Sequence, residues 1–303
     1  SVLEVPSARV VNMSATFGAV RKKTKRESPK NTQEQEIIAT AQFATRYLKT
    51  THCDLFFADA AILVEGPAER MLVPHFIKNN YPDLDRSYIS LLEIGGSHAH
   101  RLRPLIESLG IPTLVITDLD SIKSESTGKA RPIMGHKLRT GNDTLKTWAP
   151  AKKLLDEVLS ATLENKMASD GKVRIAYPCA TSIQFKDAKD EAEQPKPEQA
   201  IPYTFEDALV IANLPVFRKM KGTAGLIKKM SEAANKPSLD EACQSMFDAL
   251  DKNAKKAEMA LDLLYSVDPS TFKPPQYISE GLEWLKNKVI NSSPLAANEE
   301  GEE

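Results

Sequence analysis

The chain has 303 residues, 41% of them hydrophobic and 27% charged, and a formal net charge of −1 at pH 7. That length permits one large domain or two ordinary ones with a proper core. A charge so near zero excludes a global field drawing the chain onto nucleic acid or membrane, so any such binding must be local.

Residues 1–30 are polar and include "RKKTKR" at 21–26, which reads as a solvated linker or, through Arg21, Lys22 and Lys23, as an arm contacting phosphates. From Gln33 to Lys49, Ile37, Ala41, Ala44 and Leu48 recur at helical spacing, predicting an amphipathic helix. The chain starts without Met and without a charged start followed by an apolar block, which reads as a piece of a longer protein with no signal peptide. Cys53, Cys179 and Cys243 are scattered and form no CxxC pair, arguing against a disulfide framework or a zinc ribbon; a reducing cytoplasm is expected.

An alternation follows. "AAILVE" predicts a short strand, and Pro67 then sits where a helix begins, with Pro74 expected to bend that helix or restart it. "SYISLLEIGG" predicts a second strand, "SHAHRLRPLIESLG" a helix closed by Gly110, and "IPTLVITDLD" a third strand. Strand–helix–strand–helix–strand over so few residues requires crossovers and a parallel sheet. A further strand is expected at 172–177, and helices at 143–168, 205–213, through 217–265, and at "GLEWLKNKVI". The fold class is therefore α/β: a parallel sheet flanked by helices, with a helical annex. No apolar run is long enough to span a bilayer, so no membrane partner is expected. The five histidines carry no metal-binding spacing and read as packing or surface residues.

Ligands in parallel sheets bind at the carboxyl ends of strands, and there the acids gather. Glu65 ends one run and Asp118 and Asp120 end another, where i and i+2 on a strand share a face. Glu69 falls in the first helical turn after Glu65. Taken singly, each reads as a cap or a solvated loop residue. Together they repel, and a hard divalent cation with oxygen ligands at ~2.0–2.1 Å removes that penalty.

"ILVEGPAE", "EIGGS" and "VITDLDS" resemble the three motifs of a Toprim domain, the metal-dependent fold of topoisomerases, primases and several nucleases. With "RTGNDTLKTW", "VRIAYP", "YTFEDALVIAN" and "KKAEMALDLL" in that order, residues 54–265 resemble the C-terminal half of OLD-family (overcoming lysogenization defect) endonucleases. The resemblance implies a catalytic and metal-binding role for Glu65 and Asp120, metal ligation by Glu69, Asp118 and Glu206, and a lysine near the scissile phosphate at Lys256, with Lys255 an equally legible register. Ser121 could add a hydroxyl to the metal shell. Gly66, Gly95 and Gly96 match structural glycines that let backbone approach closely. Without the resemblance, Glu206 reads as a helix-start acid, Lys256 as a solvated lysine, and Thr140 and Asn142 as loop-shaping.

The implied function is a DNA endonuclease dependent on Mg²⁺ or Mn²⁺, expected as two ions. DNA would be held by Arg21, Lys22 and Lys23 and by Arg218, Lys219, Lys228 and Lys229. No GxxxxGK[ST] motif is present, so no ATP site is expected; OLD proteins carry an N-terminal ATPase domain, which becomes the expected partner, with homo-oligomerisation through that part. The organisation reads as 1–53 linker and helix, 54–213 Toprim catalytic domain, 214–275 helical domain, and 276–303 terminal helix and acidic tail. Two other readings stand beside it: a non-catalytic Toprim scaffold for docking or dimerisation, and a HAD-like phosphatase suggested by "VITDLDS".

Overall fold

The structure, a computed structural model, describes residues 53–188, 194–220, 224–251, 255–266 and 268–292. The expected linker, its helix at 33–49, the basic residues Arg21, Lys22 and Lys23, and the acidic tail lie outside them.

The three apolar runs form parallel strands β1 (Ala60–Val64), β2 (Ile89–Glu93) and β3 (Thr113–Ile116). Two-residue strands β4 (Ser121–Ile122) and β5 (Arg139–Thr140) pair beyond β3, and β6 (Met167–Ala168) lies antiparallel to β7 (Val173–Ala176). The main sheet runs β2-β1-β3-β7-β6, so the expected parallel sheet and the strand at 172–177 are both present. Every residue of β1 and β3 is buried, as unbroken apolar runs require of strands covered on both faces. Ile62 and Leu114 face one core with Leu72 and Phe76; Leu63 and Val115 face the other with Leu102 and Leu105.

Helix α1 (Pro67–Asn80) follows β1 and continues through Pro74 without restarting. Helix α2 (Arg103–Leu109) follows β2 and closes at Gly110. The expected helix over 143–168 is broken up: α3 is only Asp143–Thr147, and a second short helix spans Leu155–Leu159. Pro150 lacks an N–H and disfavours helical backbone at Ala149. The chain there runs beside β5 instead, with Lys153 accepting from the Thr140 N–H and Leu138 from that of Leu155. A hairpin of β8 (Thr181–Phe185) and β9 (Lys196–Ala200) was not legible in the sequence; β9 is almost wholly exposed and polar, and contains Pro197.

After the hairpin come α4 (Phe205–Ala212) and then the helices of the annex, α5 (Leu214–Lys219), α6 (Gly225–Ala234), α7 (Leu239–Asp251) and α8 (Lys256–Ser266). Met230, Met246, Met259 and Leu263 join the core that holds Leu72 and Phe76 of α1, so α8 lies against α1. Helix α9 (Gln276–Ser292) packs on β3 and β7. A Cβ at Gly281 would come within 2.8 Å of Leu114 Cδ1, and Leu114 is fully buried. Gly281→Ala is therefore expected to destabilise by about 1–3 kcal/mol through overpacking. A urea melt checks this; an unchanged midpoint would place α9 less tightly on the sheet.

Candidate functional site

Strands β1 and β3 are neighbours, with Ala61 opposite Thr113 and Leu63 opposite Val115. Carried two residues further, that register sets Glu65 opposite Thr117, whose hydroxyl donates to Glu65 Oε1. Asn142 Nδ2 donates to the same oxygen at 3.0 Å and to the Asp118 carbonyl at 2.8 Å. Its Oδ1 caps α3, accepting from Thr144 and Leu145 N–H groups. The Glu65 carbonyl accepts from the Gly95 and Gly96 N–H groups, each at 3.0 Å. These glycines have φ of 74° and 82°, and nothing lies within 4 Å of either would-be Cβ. Left-handed backbone, rather than the close approach expected from sequence, is what demands glycine there.

The two aspartates of "DLD" do not share a strand face. β3 ends at Ile116, and Asp120 has a left-handed φ of 47°. Its carbonyl accepts from Gly141 N–H at 2.7 Å, and a Cβ at Gly141 would lie 3.1 Å from that oxygen. Asp118 is buried, and its Oδ1 accepts from Phe205 N–H at 3.0 Å, an otherwise free donor at the start of α4. The Ser121 hydroxyl donates to the Ala130 carbonyl, so it is directed to the β4 loop rather than to the acids.

Two further acids lie deeper. Glu69 is 3% exposed in the first turn of α1, its Oε2 only 3.3 Å from where a Cβ on Gly66 would be. Glu206 is 1% exposed in the first turn of α4. Thr204 and Asp207 form the capping box of that helix, and the Thr204 hydroxyl donates to Glu206 Oε2 at 2.7 Å. Lys256, the first residue of α8, places Nζ 2.8 Å from Glu206 Oε2 and 3.3 Å from Asp118 Oδ2. Lys255 instead faces solvent and pairs with Glu258. Glu206 Oε1 is buried with no hydrogen-bond partner among the described residues.

The electrostatics show that these groups act on one another. Burial, then the charge of Asp120, raises Glu65 to about 7. Burial, then Glu206, raises Glu69 to about 8. Asp118 is pushed well above its ordinary range by burial, with Lys256 opposing and Glu65, Glu69 and Glu206 adding. Asp120 is raised by burial and drawn back by Lys256, Lys129 and Lys146. Burial works against the Lys256 ammonium, but Asp118 and Glu206 outweigh it and keep it charged. Tyr277, buried on α9, is raised by burial and by the same acids. As the side chains stand, no three acids, histidines or cysteines among the described residues are grouped to hold a metal ion. The ammonium of Lys256 lies between two of the acids. The donor set is carboxylate only, which suits Mg²⁺ or Mn²⁺ rather than a softer ion, and the partnerless Glu206 oxygen is an acceptor such an ion would satisfy.

Of the residues read from sequence, Glu65, Glu69, Asp118, Asp120, Glu206 and Lys256 come together. Arg218 does not serve as a free cation: its guanidinium sits 4.8 Å from the Phe185 ring and donates to the carbonyls of Ala234 and Lys186. Lys219, Lys228 and Lys229 are exposed. Thr117, Thr204, Lys129, Lys146 and Tyr277 were not anticipated, and Asn142 was read only as loop-shaping.

Residues 56–120 match the family "Overcoming lysogenization defect protein-like, TOPRIM domain". Endonuclease GajA of Bacillus cereus (strain HuB5-5) is 28% identical over 285 residues, covering 88% of this chain and 36% of the relative, so the chain spans about a third of that protein. Among solved structures, the C-terminal region of the Burkholderia pseudomallei OLD protein aligns at 21% identity and TM-score 0.43, covering 77% of this chain and 99% of that one. The corresponding region of the Xanthomonas campestris pv. campestris OLD protein aligns at 18% identity and TM-score 0.39, covering 78% and 96%. The three parallel strands, and the acids Glu65, Asp118 and Asp120 that follow β1 and β3, all lie within the stretch that matches the OLD-like Toprim domain.

Proposed function

We propose that this chain is the nuclease part of an ATPase–nuclease and hydrolyses phosphodiester bonds in DNA with Mg²⁺ or Mn²⁺. The observation that carries the reading is five interacting carboxylates beyond the ends of β1 and β3, one of them holding a buried oxygen without a partner among the described residues. Glu65, Asp118 and Asp120 would hold one ion, and Glu69 and Glu206 a second. Divalent metal supplies an activated water and charge neutralisation at the phosphate. Asn142 and Thr117 fix the Glu65 carboxylate, and Phe205 N–H fixes that of Asp118. Lys129 and Lys146, which act on Asp120 from the β4 and α3 side, would meet the DNA phosphates as they approach. Residues 54–213 form the catalytic unit in this reading, 214–275 an annex that delivers Lys256, and the ATPase part would precede them. Among the described residues no helix is long and apolar enough to cross a membrane, and a cytoplasmic site of action accords with that reading.

Nicking of supercoiled plasmid tests the proposal. Relaxation is expected with Mg²⁺ or Mn²⁺ and none with EDTA. Asp120→Ala should cost more than the ~10–100-fold typical of losing an outer-shell partner of a metal site. A chain that binds both metals yet never nicks would instead favour the docking scaffold.

A further inference from the structure

The position of Lys256 is odd for a group meant only to touch a phosphate. Its ammonium is inserted between carboxylates from two different elements, the loop after β3 and the first turn of α4. We propose that Lys256 is a tethered countercation that stands in for the inner metal ion, and that it leaves Asp118 and Glu206 when that ion binds. The proposal rests on the metal-site reading above.

Three observations lead to it. First, an ion bound to Glu206 Oε2 at ~2.1 Å would lie within ~5 Å of the present Nζ position, and two cations that close in a poorly solvated pocket repel strongly. Both cannot hold the same oxygens comfortably. Second, the ammonium leaves the pocket incompletely satisfied: Glu206 Oε2 is paired while Oε1, equally buried, has no partner among the described residues. A lysine offers one compact charge, whereas a divalent ion with its waters can engage more of the surrounding oxygens. Third, the side chain has a way out. Lys256 is the first residue of α8 and its side chain is 35% exposed, while the helix is anchored separately by Met259, Ala260 and Leu263. The long stem can swing to solvent without unpacking the helix, and an ammonium so released is free to meet an anionic phosphodiester.

A lysine that merely braces the pocket makes the opposite prediction, because removing it would loosen the ligands and weaken metal binding. The test is Mn²⁺ affinity of the full chain without DNA, read by electron paramagnetic resonance of free Mn²⁺, for wild type, Lys256→Met and Lys256→Arg. Lys256→Met is expected to bind Mn²⁺ on the order of tenfold tighter or more. Its metal-free form should melt lower than wild type and gain more from saturating Mn²⁺. Lys256→Arg keeps the charge and should stay near wild type. Should Lys256→Met not fold without metal, Lys256→Gln, which retains a donor for Glu206, gives the same comparison. Equal or weaker Mn²⁺ binding by a folded neutral variant overturns the proposal alone. Absence of Mn²⁺ binding in wild type and variants alike overturns the metal-site reading, and the proposal with it.

Discussion

Asp118→Ala is expected to eliminate metal-dependent nicking and also to weaken the fold, whereas Asp118→Asn should eliminate nicking and leave the fold nearly intact. The two oxygens of Asp118 have different tasks. Oδ1 accepts the Phe205 N–H, and Oδ2 meets Lys256. Alanine strips the buried Phe205 donor of its acceptor, a loss of about 1–3 kcal/mol. Asparagine can turn its carbonyl oxygen to Phe205 and keep that bond, but carries no charge for a cation. Plasmid nicking beside urea melts of both variants separates the tasks. Wild-type nicking by Asp118→Asn would remove the charge of this residue from the chemistry.

The second large effect concerns pH. In metal-free protein Glu69 is raised from 4.5 to about 8 by burial and by Glu206, and Glu65 to about 7 by burial and by Asp120. An acid that holds its proton more tightly folded than unfolded contributes stability below its unfolded value. That contribution is lost as pH climbs through the folded value. Metal-free protein should therefore lose stability as pH rises between about 4.5 and 8. Glu69→Gln cannot ionise and should be the more stable chain at pH 8.5, its remaining slope carried by Glu65, Asp118, Asp120 and Asp207, all of them raised by burial. Saturating Mn²⁺ should reverse the wild-type trend, since ion and proton compete for the same oxygens. Denaturant melts in EDTA and in Mn²⁺ across this range measure it. Parallel slopes for wild type and Glu69→Gln in EDTA would show Glu69 ionised throughout.

The sheet and the outer acids were legible because unbroken apolar runs ending on charge leave few alternatives: such a run must be a covered strand, and its end must surface where its neighbours surface. Geometry beyond the strand ends was not legible. Extending β3 through "DLD" put Asp118 and Asp120 on one face, but Asp120 has left-handed backbone and its carbonyl accepts from Gly141, twenty-one positions on. Asn142 reads locally as loop-shaping, whereas it caps α3; that its amide also grips Glu65 across 77 positions leaves no local trace. The long helix expected at 143–168 came from composition, which underweighted Pro150. Arg218 was grouped with surface lysines by charge, although its guanidinium is held by an aromatic ring and two carbonyls. Lys256 needed the family resemblance, since an amphipathic basic helix gives no sign of which lysine turns inward.

Lys256 reaches Asp118 across 138 positions of chain. Bringing groups so distant in sequence together carries the entropic cost of closing a long loop, a cost that grows only slowly with length. A chain truncated just ahead of α8 would lose the ammonium that faces Asp118 and Glu206, and with it α9, which covers β3 and β7. Helix α8 is thus a wall of the pocket rather than an appendage to it.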